Sequence, residues 1–393
     1  MKVHERIRSL LRSPWTFYRV LLRGRYDFTY DLMPVQVRGM STHKRINLTL
    51  SGQHLVYRHL RPANWPLHIQ LELTNYCNLH CPVCPTGSGA LARPPLDMDL
   101  GLFERVWNEI GPYLLTASLW GWGEPLLHPQ LRDILRIAST QPVATLLSTN
   151  GQRLDRPDVQ QALVDYPPTY LIVCIDGLTD ETNQVYRRGA RLQPALEGVK
   201  HIAAAKRERN LTFPILHMRY IVMRHNEHEL PDIERFARDA EFDLLTIRTL
   251  STTDSTDAAY PQFVPVASDW NAYEYEAGQR IRRHDYVCQQ PFWFPALYSD
   301  GTLVPCDQDS QARLPFGVIT PQRSFADVWF GRDSARVRRI VRDTPETLDI
   351  CPNCPFADRP AEACSVRAVA LRGPVMAQIG PLPGFHQQGQ RGL

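Results

Sequence analysis

The sequence predicts a parallel α/β sheet or partial barrel of six strand–helix units, followed by a smaller C-terminal domain. Three observations carry this. Short apolar stretches alternate with amphipathic ones between residues 67 and 250. The apolar stretches lack strict period-2 alternation, as strands covered on both faces do. The periodicity then stops, and five of the nine cysteines lie beyond residue 285. Strands that alternate with helices pair in parallel, because a parallel pair needs a crossover.

In chain order, LHIQLEL (67–73) reads as the first strand and LFERVWNEIGPYL (102–114) as its helix. ASLWGW (117–122) and PQLRDILRIAS (129–139) form the second unit. VATLLST (143–149) is the third strand, with a short helix near Val159 to Leu163. YLIVCID (170–176) is the fourth strand, and LEGVKHIAAAKRER (196–209) is a strong helix. LHMRYIVM (216–223) and FDLLTIRTL (242–250) are the last two strands, with LPDIERFARDA (230–240) between them. The expected division is an N-terminal basic amphipathic extension (1–65), a core (66–250), a polar connector (251–284), a cysteine-bearing domain (285–370) and an unordered tail (371–393).

Composition excludes several classes. Net charge is +3, which makes no case for nucleic acid. No apolar run approaches the roughly 18 residues of a membrane span. The start is basic but has no unbroken apolar region before a cleavage site, so no secretory signal is expected. Ile7, Leu10, Leu11, Phe17, Leu21 and Leu22 are interleaved with arginines. This segment reads as a pair of helices broken at Pro14, packed on the main domain or lying on a membrane surface. Nine cysteines without an export signal favour metal ligands or catalytic groups over disulfides.

Cys77, Cys81 and Cys84 directly follow the first strand as C-x3-C-x2-C. Parallel α/β proteins place chemistry at the carboxyl ends of strands. A structural zinc site needs a fourth ligand. A four-iron cube held by three thiolates leaves one iron open.

CNLHCPVC resembles the cluster motif of the radical S-adenosylmethionine (radical SAM) enzymes, with Val83 where that family often has an aromatic residue. The resemblance implies a partial (β/α)6 TIM-like barrel and a [4Fe–4S] cluster on these three cysteines. SAM is then cleaved by one electron from a flavodoxin- or ferredoxin-type donor to give a radical that abstracts hydrogen from substrate. WGWGEPLLHP resembles the family's Gly-Gly-Glu-Pro segment, which implies that Gly123, Glu124 and Pro125 lie against the SAM amino group. Ser148 and Asn150 of STNG are candidates for the ribose hydroxyls. CIDG (174–177) resembles the family's Ser-Ile-Asp-Gly segment and makes Asp176 a candidate polar contact, with Cys174 read as a small buried hydrophobe. Asn226 resembles a residue that supports the site from the fifth strand.

Cys288, Gly301, Cys306, Cys351 and Cys354 follow a C-x12-G-x4-C and C-x2-C pattern. It resembles the SPASM/twitch extension, in which the first pair sits on a β-hairpin. FPALYSDGTLVPC reads as two short strands around Ser-Asp-Gly. The resemblance implies one auxiliary [4Fe–4S] cluster on Cys288, Cys306, Cys351 and Cys354, with Cys364 as a substitute ligand. Asp307, Gln308 and the aromatic run Phe292, Trp293 and Phe294 flank it.

Two substrate classes fit, a small sugar- or lipid-linked molecule and a peptide. Residues 1–65 look too short for the winged peptide-recognition domain of many peptide-modifying members, which weights the expectation toward the small molecule. The competing class is a non-catalytic metal-binding or electron-transfer protein. The expected location is cytoplasmic, with membrane contact only through the N-terminal segment.

Overall fold

The computed structural model describes residues 14–251, 260–276, 279–283, 285–352, 354–361, 366–373 and 375–380. Helix α1 (Pro14–Leu21) leads into a hairpin of β1 (Tyr26–Tyr30) and β2 (Met33–Val37), then α2 (Thr42–Tyr57). The units that follow are β3 (His68–Leu71), α3 (Leu100–Ile110), β4 (Thr116–Ser118), α4 (Leu131–Ala138), β5 (Ala144–Thr149) and α5 (Pro157–Asp165). They continue through β6 (Tyr170–Cys174), α6 (Asp180–Tyr186), α7 (Leu192–Glu208), β7 (Ile215–Val222), α8 (Ile233–Asp239) and β8 (Leu244–Thr249). Beyond them lie β9 (Tyr275–Glu276), β10 (Gln279–Arg280), β11 (Ala296–Leu297), β12 (Thr302–Val304) and β13 (Gly317–Val318). Helices α9 (Phe325–Trp329) and α10 (Arg332–Asp343) precede β14 (Arg367–Ala370) and β15 (Ala377–Ile379).

The six expected strands, β3 to β8, pair in parallel and in sequence order. The sheet stays open. The C-terminal region is not a separate layer, because its strands extend this sheet at both edges. On one side β11 pairs in parallel with β3, and β12 and β13 follow antiparallel. On the other side β14 pairs antiparallel with β8. Gly301, with φ +85°, supplies the left-handed residue of the β11–β12 turn.

Two apolar layers cover the sheet. On the outer face Val106, Trp107, Ile134, Leu163, Val199 and Ile202 pack on Ile69, Leu71, Leu147, Leu171 and Leu216. Helix α3 shows how the sequence builds this layer. Asp99 caps it by accepting from the Leu102 amide at 2.9 Å, and Leu102, Phe103, Val106, Trp107 and Ile110 form one buried stripe. On the inner face Leu146, Tyr170, Ile172, Ile215 and Leu244 pack under Met33, Val35, Val37, Ala377 and Ile379.

The inner layer corrects two expectations. The N-terminal extension is not helical throughout: of the helix pair expected around Pro14 the first member lies outside the described residues, the second is α1, and a β-hairpin stands between α1 and α2. Its turn at Asp31 and Leu32 has φ of 49° and 65°, positions where the usual signal is Asn-Gly or Asp-Gly. The tail beyond residue 371 is not wholly unordered. Its Ala377–Ile379 segment pairs in parallel with β2 and buries Ala377 and Ile379. Residues 1–13 and 381–393 lie outside the described residues. The connector also contributes to the core, since Tyr260 and Phe263 pack with Val83, Tyr186, Met223 and Leu250.

No helix among the described residues is long and apolar enough to cross a membrane.

Candidate active site

The loop after β3 turns back on itself around its cysteines. The Cys84 amide donates to the Cys81 carbonyl at 3.2 Å, and the Leu79 amide donates to Cys77 Sγ at 3.4 Å. A methyl group on Gly87 would stand 2.5 Å from the Cys81 nitrogen, so this return requires glycine. Cys77, Cys81 and Cys84 are all free and half-buried. Burial pushes the Cys77 thiol up to about 11, helped by Glu124, and the Cys81 thiol up to about 12, opposed by the Arg187 guanidinium. Metal binding takes such thiols as thiolates, with the iron charge offsetting the loss of water. Among the described residues no three His, Cys, Asp or Glu side chains are placed to hold one metal ion. A four-iron cube asks for something else, one thiolate per iron, and three free thiols on one short loop suit that.

The expected SAM-contacting segments gather at the same ends of the strands, but several of their side chains are committed to the protein. Glu124 is 3% exposed. Its carboxylate accepts from the Leu126 amide at 3.0 Å, the Thr149 hydroxyl at 2.7 Å and the Asn150 amide at 2.8 Å. It therefore ties the segment after β4 to the end of β5. Burial raises its pKa against these three donors. Gly123 is held so closely that a Cβ would lie 2.3 Å from the Thr74 carbonyl oxygen, and Pro125 opens a short 3-10 turn. The Glu124 carboxylate is thus already engaged by three protein donors.

Asn150 is likewise engaged with the protein instead of standing free for a ribose. Its side-chain Nδ2 donates to Asn78 Oδ1 at 2.8 Å and to Cys77 Sγ at 3.5 Å. Ser148 faces inward, 3.4 Å from Cys174 Sγ. Cys174 is half-buried rather than wholly enclosed.

Asp176 is fully buried and pairs with Arg187 at 2.7 Å, so it positions others rather than meeting solvent. Its other oxygen accepts from the Ile221 amide at 2.8 Å. Burial raises the Asp176 carboxyl, and Arg187 opposes that. Asn226 completes the support by donating to the carbonyls of Asp176 and Ile221, both at 2.9 Å.

The second set is assembled from three separated segments. Cys288, Cys306, Cys351 and Cys354 are free, and the last three each lie within electrostatic range of Cys288. Burial pushes Cys351 up to about 12 and Cys354 up to about 11. The Cys354 amide donates to the Cys351 carbonyl at 3.2 Å, the turn already seen between Cys81 and Cys84. Arg282 holds this knuckle through the Cys354 and Cys351 carbonyls at 2.9 and 3.2 Å. Cys364 lies outside the described residues.

One group that the sequence reading did not single out joins the two regions. Glu72, fully buried at the end of β3, pairs in bidentate fashion with Arg93 at 2.7 and 2.7 Å. It also accepts from the Trp122 amide at 3.2 Å and the Ser299 amide at 3.3 Å. Arg93 lies 3.9 Å over the Tyr298 ring and donates to the Ser310 carbonyl at 2.8 Å. The signal was a glutamate inside an apolar strand, which needs a partner.

The radical SAM superfamily profile matches residues 71–237, and an iron–sulfur cluster-binding SPASM domain matches residues 288–355. The mycofactocin maturase MftC of Mycobacterium ulcerans is 27% identical over 344 residues, covering 81% of this chain and 88% of the maturase. The PqqA peptide cyclase of Bradyrhizobium diazoefficiens is 24% identical, covering 78% of this chain and 83% of the cyclase. Streptococcus suis SuiB, solved with its precursor peptide SuiA, superposes with a TM-score of 0.58 at 14% identity, over 90% of this chain and 82% of SuiB.

Proposed function

We propose that this chain, which belongs to the radical SAM superfamily and carries a SPASM iron–sulfur domain, is a peptide-modifying enzyme. One observation carries the peptide reading. The likeness to a maturase and to a peptide cyclase covers about four-fifths of the chain and more than four-fifths of each relative. This reverses the weighting from the short N-terminal extension, which favoured a small or lipid-linked molecule.

When bound, SAM and its cluster supply one-electron cleavage and hydrogen abstraction. Cys77, Cys81 and Cys84 hold the SAM-cleaving cluster in this reading. Asn150 fixes the Cys77 side of the loop, and Gly123 to Pro125 present carbonyls to SAM. Ser148 stands on the inner face of the sheet beside Cys174. Asp176, Arg187 and Asn226 keep the β6 and β7 ends in register. Cys288, Cys306, Cys351 and Cys354 hold one auxiliary cluster, and a small iron–sulfur or flavin protein supplies electrons.

Anaerobically reconstituted protein should contain about eight iron and eight sulfide per chain. With SAM, dithionite and synthetic peptides from short reading frames beside its gene, it should form 5′-deoxyadenosine and a peptide of changed mass. Cys81→Ala should abolish SAM cleavage while keeping about four iron. Zinc without sulfide would overturn the enzyme reading. A modified metabolite with no modified peptide would overturn the substrate class.

A further inference from the structure

The inner face of the sheet is layered, and one layer has no role in the reading above. Lowest is the apolar layer under the N-terminal hairpin. Next, His217 and Thr246 are fully buried and bonded to each other at 2.7 Å. Two residues further along the same faces of β7 and β8 stand Arg219 and Arg248. Both bind Asp31, the first residue of the hairpin turn, Arg219 at 2.6 Å. Ile221 comes next on β7 and packs beside Cys81 and Val83. At about 3.3 Å per residue, the arginine layer lies about 7 Å below the layer of the cysteine loop.

Water reaches this cluster. The side chains of Arg219, Arg248 and Asp31 are 13%, 29% and 29% exposed, while the layer beneath is closed. Among the described residues two guanidiniums share one carboxylate, leaving one positive charge unmatched by the ion pairs. Burial alone would raise the Asp31 carboxyl, but Arg219 and Arg248 hold it at about 2, so it stays charged. His217 is kept neutral, its pKa pushed well down by burial and Arg219. The neighbouring titratable groups are Tyr30, which stays protonated and bonds Ser118 at 3.3 Å, and Asp307, whose field Tyr30 feels. Neither is hydrogen-bonded to the arginines.

We infer that Asp31, Arg219 and Arg248 form an anion-binding floor on the inner face of the sheet, below the cysteine loop, that takes a carboxylate of the substrate. A guanidinium pair with excess positive charge suits bidentate carboxylate recognition. The hairpin tip, by supplying Asp31, sets how deep the acidic group reaches and how strongly it is held. The substrate class, an acidic peptide, rests on the peptide reading above; the anion site does not.

The test uses the reconstituted full chain with SAM and three probes measured by titration calorimetry: acetyl-Gly-Glu-Gly-amide, its Gln counterpart and glutarate. The Glu peptide should bind about tenfold or more tightly than the Gln peptide, the effect of one charged hydrogen-bonded contact. Arg248→Gln should lose about that factor, while Arg248→Lys should keep much of it. Asp31→Asn should strengthen binding several-fold, the opposite sign to that of a merely structural residue. Weaker binding in Asp31→Asn, with unchanged iron content and melting, would overturn the site. So would an unaffected Arg248→Gln, or no binding of either acid. Glutarate that binds and responds to the variants, beside a Glu peptide that does not bind, would keep the site and refute the peptide.

Discussion

Glu124→Gln changes one oxygen to an NH2 group and almost nothing in shape. Its structural effect follows from the three donors that the carboxylate meets. Oε1 accepts from Leu126 N and the Thr149 hydroxyl, and Oε2 accepts from Asn150 N. A glutamine can satisfy the first two with its carbonyl, but its amide nitrogen then faces the Asn150 amide, donor against donor. Losing one charged, buried hydrogen bond costs roughly 1.5–3 kcal/mol. For 393 residues, an unfolding entropy of about 2.1 cal/mol/K per residue gives about 0.8 kcal/mol/K, so Tm should fall by about 2–4 °C. The local effect should be larger. Displacing Asn150 removes the donors to Asn78 and Cys77 Sγ. SAM cleavage should fall at least about tenfold, as expected for about 1.4 kcal/mol at a positioning contact. The auxiliary cluster should keep its iron. Calorimetry, iron analysis and 5′-deoxyadenosine yield would check this together. Unchanged Tm and cleavage would show that the carboxylate does not organise the β5 end.

Gly123→Ala places a methyl group 2.3 Å from the Thr74 carbonyl oxygen and should abolish SAM binding while leaving auxiliary iron in place, checked by SAM titration and iron analysis. Acid should destabilise the protein below about pH 6.5. Burial holds His54 and His68 near 3 and His217 well below its usual value, so only the unfolded chain takes up those protons as pH falls through the ordinary histidine range. Three such groups give up to about 4 kcal/mol of lost stability per pH unit, and His68→Gln should flatten that slope in urea titrations. Truncation after residue 373 removes β15, including fully buried Ile379, and should cost at least about 2 kcal/mol rather than being silent.

Six parallel strands and both cysteine sets were legible because their signals are local. Doubly covered strands read as apolar runs, and thiol spacing reads directly. Boundaries shifted by a few residues, as with Thr116–Ser118 against the expected 117–122. The N-terminal hairpin was not legible, since Asp31 and Leu32 adopt positive φ without a glycine, held there by Arg219 and Arg248 from 188 and 217 residues away. Nor was α6, only seven residues long, whose start rests on the Thr179 side chain accepting from the Thr182 amide. Glu124, Asn150 and Asp176 lie near the ends of β4, β5 and β6, each engaged with other protein groups. Sequence reading put them near the cofactor, but only three-dimensional pairing shows their polar atoms already spent on holding strand ends.

That spending explains how one sheet can serve two clusters. Glu72 ends β3, the strand that feeds the first cysteine loop, yet it also receives the Ser299 amide from the β11–β12 turn. Arg93 neutralises it and rests on Tyr298, so the loop beyond Cys84 and the hairpin that leads to Cys306 share one buried ion pair. Removing one member of such a pair leaves an uncompensated charge and typically costs 3–5 kcal/mol. Arg93→Ala should therefore disturb both clusters at once, whereas Cys81→Ala should disturb one. Loss of only the SAM-cleaving cluster in Arg93→Ala would show that Glu72 serves the first loop alone, and that the edge pairing of β3 with β11 suffices to place the second.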